Sequence, residues 1–64
     1  MKSYSSRQII RILREHGWEL HSVVGSHHQF KHPTRPGRVT VPHPKRDLVT
    51  KTAQSILKQA GIEL

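Results

Sequence analysis

Apolar residues at Ile9, Ile10, Ile12 and Leu13 fall along one stripe of a helix, and Arg7, Arg11 and Arg14 fall on the other side. Ser5, three residues before Gln8, has the form of a capping box, and Gly17 supplies a stop. A first helix is therefore expected over residues 6–16. From Trp18 the pattern changes to a strand that includes Leu20, Val23 and Val24, closed by the turn signal Gly25-Ser26. A second extended run covers His27 to His32. Its Phe30 must face the core of so small a protein, so a two-residue period puts His28 and His32 on the side of Phe30 and His27, Gln29 and Lys31 on the opposite side. Pro33 to Gly37 reads as a turn, and Arg38 to Pro42 as a third strand with Val39 and Val41 inward.

After the breaker-rich Pro42-His43-Pro44-Lys45-Arg46-Asp47, Thr50 is expected to cap a second helix over residues 51–60. That helix carries Ala53, Ile56, Leu57 and Ala60 on one face and ends at Gly61. The order predicts an α+β domain, α-β-β-β-α, with a three-stranded antiparallel sheet covered on one face by two helices. The other face is left open to a ligand.

With 64 residues, the chain is expected to form a single domain, residues 1–64, around one modest core. The absence of cysteine excludes a disulfide framework and a thiolate zinc site, which leaves a partner protein as one source of added stability. The amino terminus lacks the apolar run of a signal peptide, and no segment approaches the roughly 20 apolar residues that span a bilayer. A soluble, cytoplasmic protein with no membrane association is expected.

Charge adds a partner. The formal net charge is +7, and the acids Glu15, Glu19, Asp47 and Glu63 leave residues 20–46 free of negative charge. That window contains Lys31, Arg35, Arg38, Lys45 and Arg46 together with five histidines: His21, His27, His28, His32 and His43. A polyanion such as RNA fits this surface, and so does a solvated basic face that serves solubility. Histidine can exchange protons near neutrality, so an imidazole among phosphate-binding cations points towards phosphodiester chemistry.

The ordered set Gly25-Ser26-His27-His28-Gln29-Phe30, His32-Pro33, Val39-Thr40-Val41-Pro42-His43-Pro44 and Ser55-Ile56-Leu57-Lys58-Gln59-Ala60-Gly61 resembles the HicA family of bacterial toxins over nearly the whole chain. The resemblance implies a fold like that of double-stranded RNA-binding domains. It also implies an endoribonuclease of a type II toxin-antitoxin system that cleaves mRNA, and a HicB-type antitoxin that covers it. Contact with DNA would come only through the antitoxin complex. By position, the family's catalytic histidine follows the Gly-Ser pair, which makes His27 the first candidate and His28 the runner-up. Strand parity supports the same choice, since His27 shares the open face with Gln29 and Lys31. A bulge at Gly25 or Ser26 would reverse it.

The expected RNA contacts are Ser26, Gln29, Lys31, Arg38, Lys45 and Arg46. No metal or cofactor is expected, because adjacent His27 and His28 point to opposite faces of a strand and cannot share an ion. Attack on phosphorus by the ribose 2′-OH or by water is compatible with these residues. Two other functions use the same surface: a non-catalytic RNA-binding module, and a domain that docks an acidic protein. His32 and His43, each before a proline, read as structural, His16 as a partner of the helix C-terminus, and Trp18 as packing.

Overall fold

The computed structural model describes residues 3–63; the expected single domain also includes Met1, Lys2 and Leu64, which lie outside the described residues. The chain forms α1 (Ser6–Glu15), β1 (Glu19–Val24), β2 (His27–Lys31), β3 (Arg38–Pro42) and α2 (Thr50–Gln59). The strands make one antiparallel sheet in the order β1-β2-β3. Element order and fold class agree with the sequence pattern.

Helix α1 begins with the full capping box: Ser5 Oγ accepts from Gln8 N–H, and Gln8 Oε1 accepts from Ser5 N–H. Both helices end in the same way, with a glycine at positive φ and a backbone bond reaching back into the last turn. Gly17 (φ 90°) lets Trp18 N–H reach Leu13 O at 2.9 Å, and Gly61 (φ 72°) lets Ile62 N–H reach Leu57 O at 2.8 Å. The start of α2 departs from expectation. Thr50 is the first helical residue, and Val49 takes the N-cap position without a side-chain bond to the helix.

The core joins Ile9 and Leu13 of α1 to Phe30 of β2, Val39 and Val41 of β3, and Ala53, Ile56 and Leu57 of α2, with Trp18 filling the α1–β1 corner. Ile10 and Ile12 are only half-buried, so the apolar stripe of α1 is narrower than its sequence suggests. Both helices pack over β3. Strand β1 therefore lies at the margin, where Leu20, Val23 and Val24 remain 49%, 50% and 64% exposed.

Register fixes which side chains share a face. In the β2–β3 pair, His28 faces Val41, Phe30 faces Val39 and Lys31 faces Arg38 without interruption. A bulge is present, but in β1: Leu20 pairs with Phe30 and Ser22 with Gln29, leaving His21 as the extra residue. Strand β2 therefore keeps its parity, with His28 on the side of buried Phe30 and His27 on the open side.

Candidate functional site

The amino-terminal segment runs beside the connection between β3 and α2. Tyr4 and Leu48 form an antiparallel bridge, Leu48 N–H donates to Tyr4 O at 2.7 Å, and Ser6 N–H donates to Lys45 O at 2.8 Å. Ser6 is 1% exposed and is the buried polar residue of the described core. Its hydroxyl lies 2.6 Å from His43 Nδ1, accepts from Lys45 N–H at 2.8 Å, and lies 3.1 Å from Lys45 O. A hydroxyl has one proton and two lone pairs. All three contacts are satisfied together when Ser6 donates to Lys45 O and accepts from both Lys45 N–H and His43 Nδ1–H.

His43 is thus held at the end of β3, and its own N–H donates to Ser26 O at 2.7 Å. The His43–Pro44 peptide bond is cis. The His43 ring meets that of His28 edge to face, with centroids 4.9 Å apart and planes at 86°. His28 is half-buried, and its Nδ1 is fully buried with no hydrogen-bond partner among the described residues. Two strand ends and the first turn of α1 therefore converge on a pair of imidazoles whose positions are set by backbone.

His27, the first candidate from the sequence, lies exposed on the open face opposite Pro42. Among the described residues its side chain has no hydrogen bond or ring contact. The expected RNA contacts divide into two groups. Ser26, Lys45 and Arg46 are exposed in the turn and connection that flank the imidazole pair. Gln29, Lys31 and Arg38 cluster further along the open face, where Arg38 Nη1 donates to Gln29 Oε1 at 3.0 Å. Along β2, Gln29 lies two residues from His27 and Lys31 four, which amounts to about 7 Å and about 13 Å.

Two of the remaining histidines, His16 and His32, are used in the frame. His16 Nδ1 lies 2.9 Å from Ile12 O at the end of α1. His32 accepts Thr34 N–H at Nδ1 (3.1 Å), which leaves Nε2–H to donate to His16 O at 3.0 Å, and its ring meets buried Trp18 edge to face. A Cβ on Gly17 would lie 2.8 Å from that Nε2, so this close approach requires glycine for its space as well as its φ. Among the described residues no group of three or more His, Cys, Asp or Glu side chains is placed to hold a metal ion. No helix among them is long and apolar enough to cross a membrane.

Sequence reasoning missed the role of Ser6 and the pairing of His43 with His28. Ser6 stood beside the stronger capping signal of Ser5, and its partner is 37 residues away. The one available clue was parity: His43 continues the inward side of Val39 and Val41, the side that His28 shares.

Fold and site together define a small basic α+β domain with an anchored pair of imidazoles at one end of its sheet. The family model described as "HicA toxin of bacterial toxin-antitoxin" matches residues 6–62, and the chain belongs to that family. It is a toxin of a toxin-antitoxin system, with an antitoxin as the corresponding kind of partner. Comparison with curated proteins gives no match.

Proposed function

We propose that this toxin is a metal-independent endoribonuclease acting on mRNA in the cytoplasm, with His28 as its proton-transfer group and a HicB-type antitoxin as its inhibitor. The observation that carries this reading is the half-buried His28 beside His43, on a chain of the HicA family and next to Ser26, Lys45 and Arg46. Proton transfer requires a nitrogen held within hydrogen-bond reach of the reacting oxygen. His28 has one nitrogen buried and its ring packed, which directs the other; the ring of His27 has no such support. Family position and strand parity made His27 the first candidate and His28 the runner-up; the burial of His28 and its packing against His43 favour the runner-up here.

In the proposed reaction the 2′-OH oxygen bonds to phosphorus as His28 Nε2 takes its proton. The bond from phosphorus to O5′ breaks, and O5′ takes a proton from a neighbouring cationic group or from water. The products are a 2′,3′-cyclic phosphate and a 5′-OH end. A nucleophile already tethered beside the phosphate needs little further activation, so a single imidazole is sufficient. The exposed cations of the connection steady charge on the phosphoryl oxygens, and Gln29, Lys31 and Arg38 hold the chain further along.

For inhibition, the antitoxin covers this sheet end. Val23 and Val24 pair in register with His28 and His27 and are at least half exposed, which gives an apolar anchor beside the imidazoles. Expressed alone in bacterial cells, the toxin should arrest growth with loss of full-length mRNA, and co-expression of a cognate antitoxin should restore both. Growth arrest with intact mRNA would reject the nuclease reading in favour of a non-catalytic RNA-binding module.

A further inference from the structure

Resting on the reading of His28 as the proton-transfer group, we infer that His43 is its positioning residue. Held by Ser6, the His43 ring seals His28 Nδ1 and keeps the proton there, so that His28 Nε2 stays free to act as a base.

Three observations lead to this assignment. First, the 2.6 Å contact to Ser6 and the 2.7 Å bond from its own N–H to Ser26 O restrain His43 through both ring and backbone. The second is that His28 Nδ1 is buried without a hydrogen-bond partner among the described residues, a costly situation for a nitrogen unless some other group faces it. Third, the His28 ring meets that of His43 at 4.9 Å and near right angles, an arrangement in which the N–H of one ring can be directed at the π face of the other. A base that works through Nε2 must carry its proton on Nδ1 in the neutral form, because Nε2 needs its lone pair. An Nδ1–H directed at the His43 ring would select that tautomer. His43 then acts through His28 and need not touch RNA.

The roles of ring and proton can be separated by substitution. His43→Phe keeps an aromatic face beside His28 and cannot exchange a proton. Ser6 stays satisfied in that variant, since its hydroxyl still donates to Lys45 O and accepts from Lys45 N–H. His43→Ala removes the face altogether. With folding confirmed by amide spectra, His43→Ala should lower kcat by about tenfold to a hundredfold, the scale of a misplaced catalytic group, with KM little changed. His43→Phe should recover most of that loss.

Nitrogen-15 spectra of His28 should show the Nδ1–H tautomer in the native protein and in His43→Phe, and a shift towards the Nε2–H form in His43→Ala. The inference is overturned if His43→Ala keeps full kcat, if His43→Phe is as impaired as His43→Ala, or if native His28 carries its proton on Nε2. The spectra do not depend on activity. A native protein that shows the Nδ1–H tautomer but never cuts RNA would therefore refute the nuclease reading while leaving the ring arrangement in place.

Discussion

His28→Ala should reduce RNA cleavage by about 10²–10⁴-fold, the range for loss of one positioned proton-transfer group, while His27→Ala leaves the rate close to that of the native protein. The two residues are neighbours in sequence and opposite in environment. His28 is half-buried against His43, and His27 is exposed on the open face. Paired measurement of kcat on a defined RNA, with circular dichroism showing that both variants fold, separates them. Loss of activity confined to His27→Ala would move the chemistry to the open face and make the His28–His43 pair a structural contact.

The largest effect on stability is expected at Phe30. It is 1% exposed, in the central strand of the sheet, between Leu20 of β1 and Val39 of β3. Truncating a buried phenylalanine to alanine costs about 3–5 kcal/mol through lost transfer energy and the cavity left behind. A domain of 64 residues has a total stability on the order of 3–10 kcal/mol, at about 0.05–0.15 kcal/mol per residue. Phe30→Ala should therefore remove about a third to all of that reserve and lower the unfolding midpoint strongly. Urea titration followed by far-ultraviolet circular dichroism measures this, and an unchanged midpoint would contradict the place of Phe30 in the core. The small reserve also explains how a bound antitoxin could stabilise the toxin by mass action as well as block its site.

Much of this architecture could be read along the chain because local signals and burial agree. The capping box at Ser5 and Gln8, the glycine stops at Gly17 and Gly61, and the alternation around Phe30, Val39 and Val41 each specify conformation within a few residues. The exceptions have physical causes. Helix α2 starts without a side-chain cap because Val49, not Thr50, occupies the N-cap position. The bulge at His21 carries no local signature, since a histidine fits a bulge and a regular strand equally well.

The site was less legible than the fold. Parity sorted His27 from His28 and favoured His27 on the open face, because a strand period does not show packing between side chains of different strands. What distinguishes His28 is a contact with His43 across the β2–β3 pair and a buried serine at the start of α1, and no sequence period links Ser6 to His43. The basic residues were visible as a group, whereas their separation into one set beside the imidazoles and another further along the open face depends on register.

Incubation of a defined RNA with the purified toxin in excess chelator, followed by analysis of the product ends, decides whether the toxin is a metal-independent ribonuclease. Cleavage should persist without divalent metal and leave 2′,3′-cyclic phosphate and 5′-OH ends. RNA that is bound but stays intact, or cutting that stops in chelator and leaves 5′-phosphate ends in its absence, would contradict it.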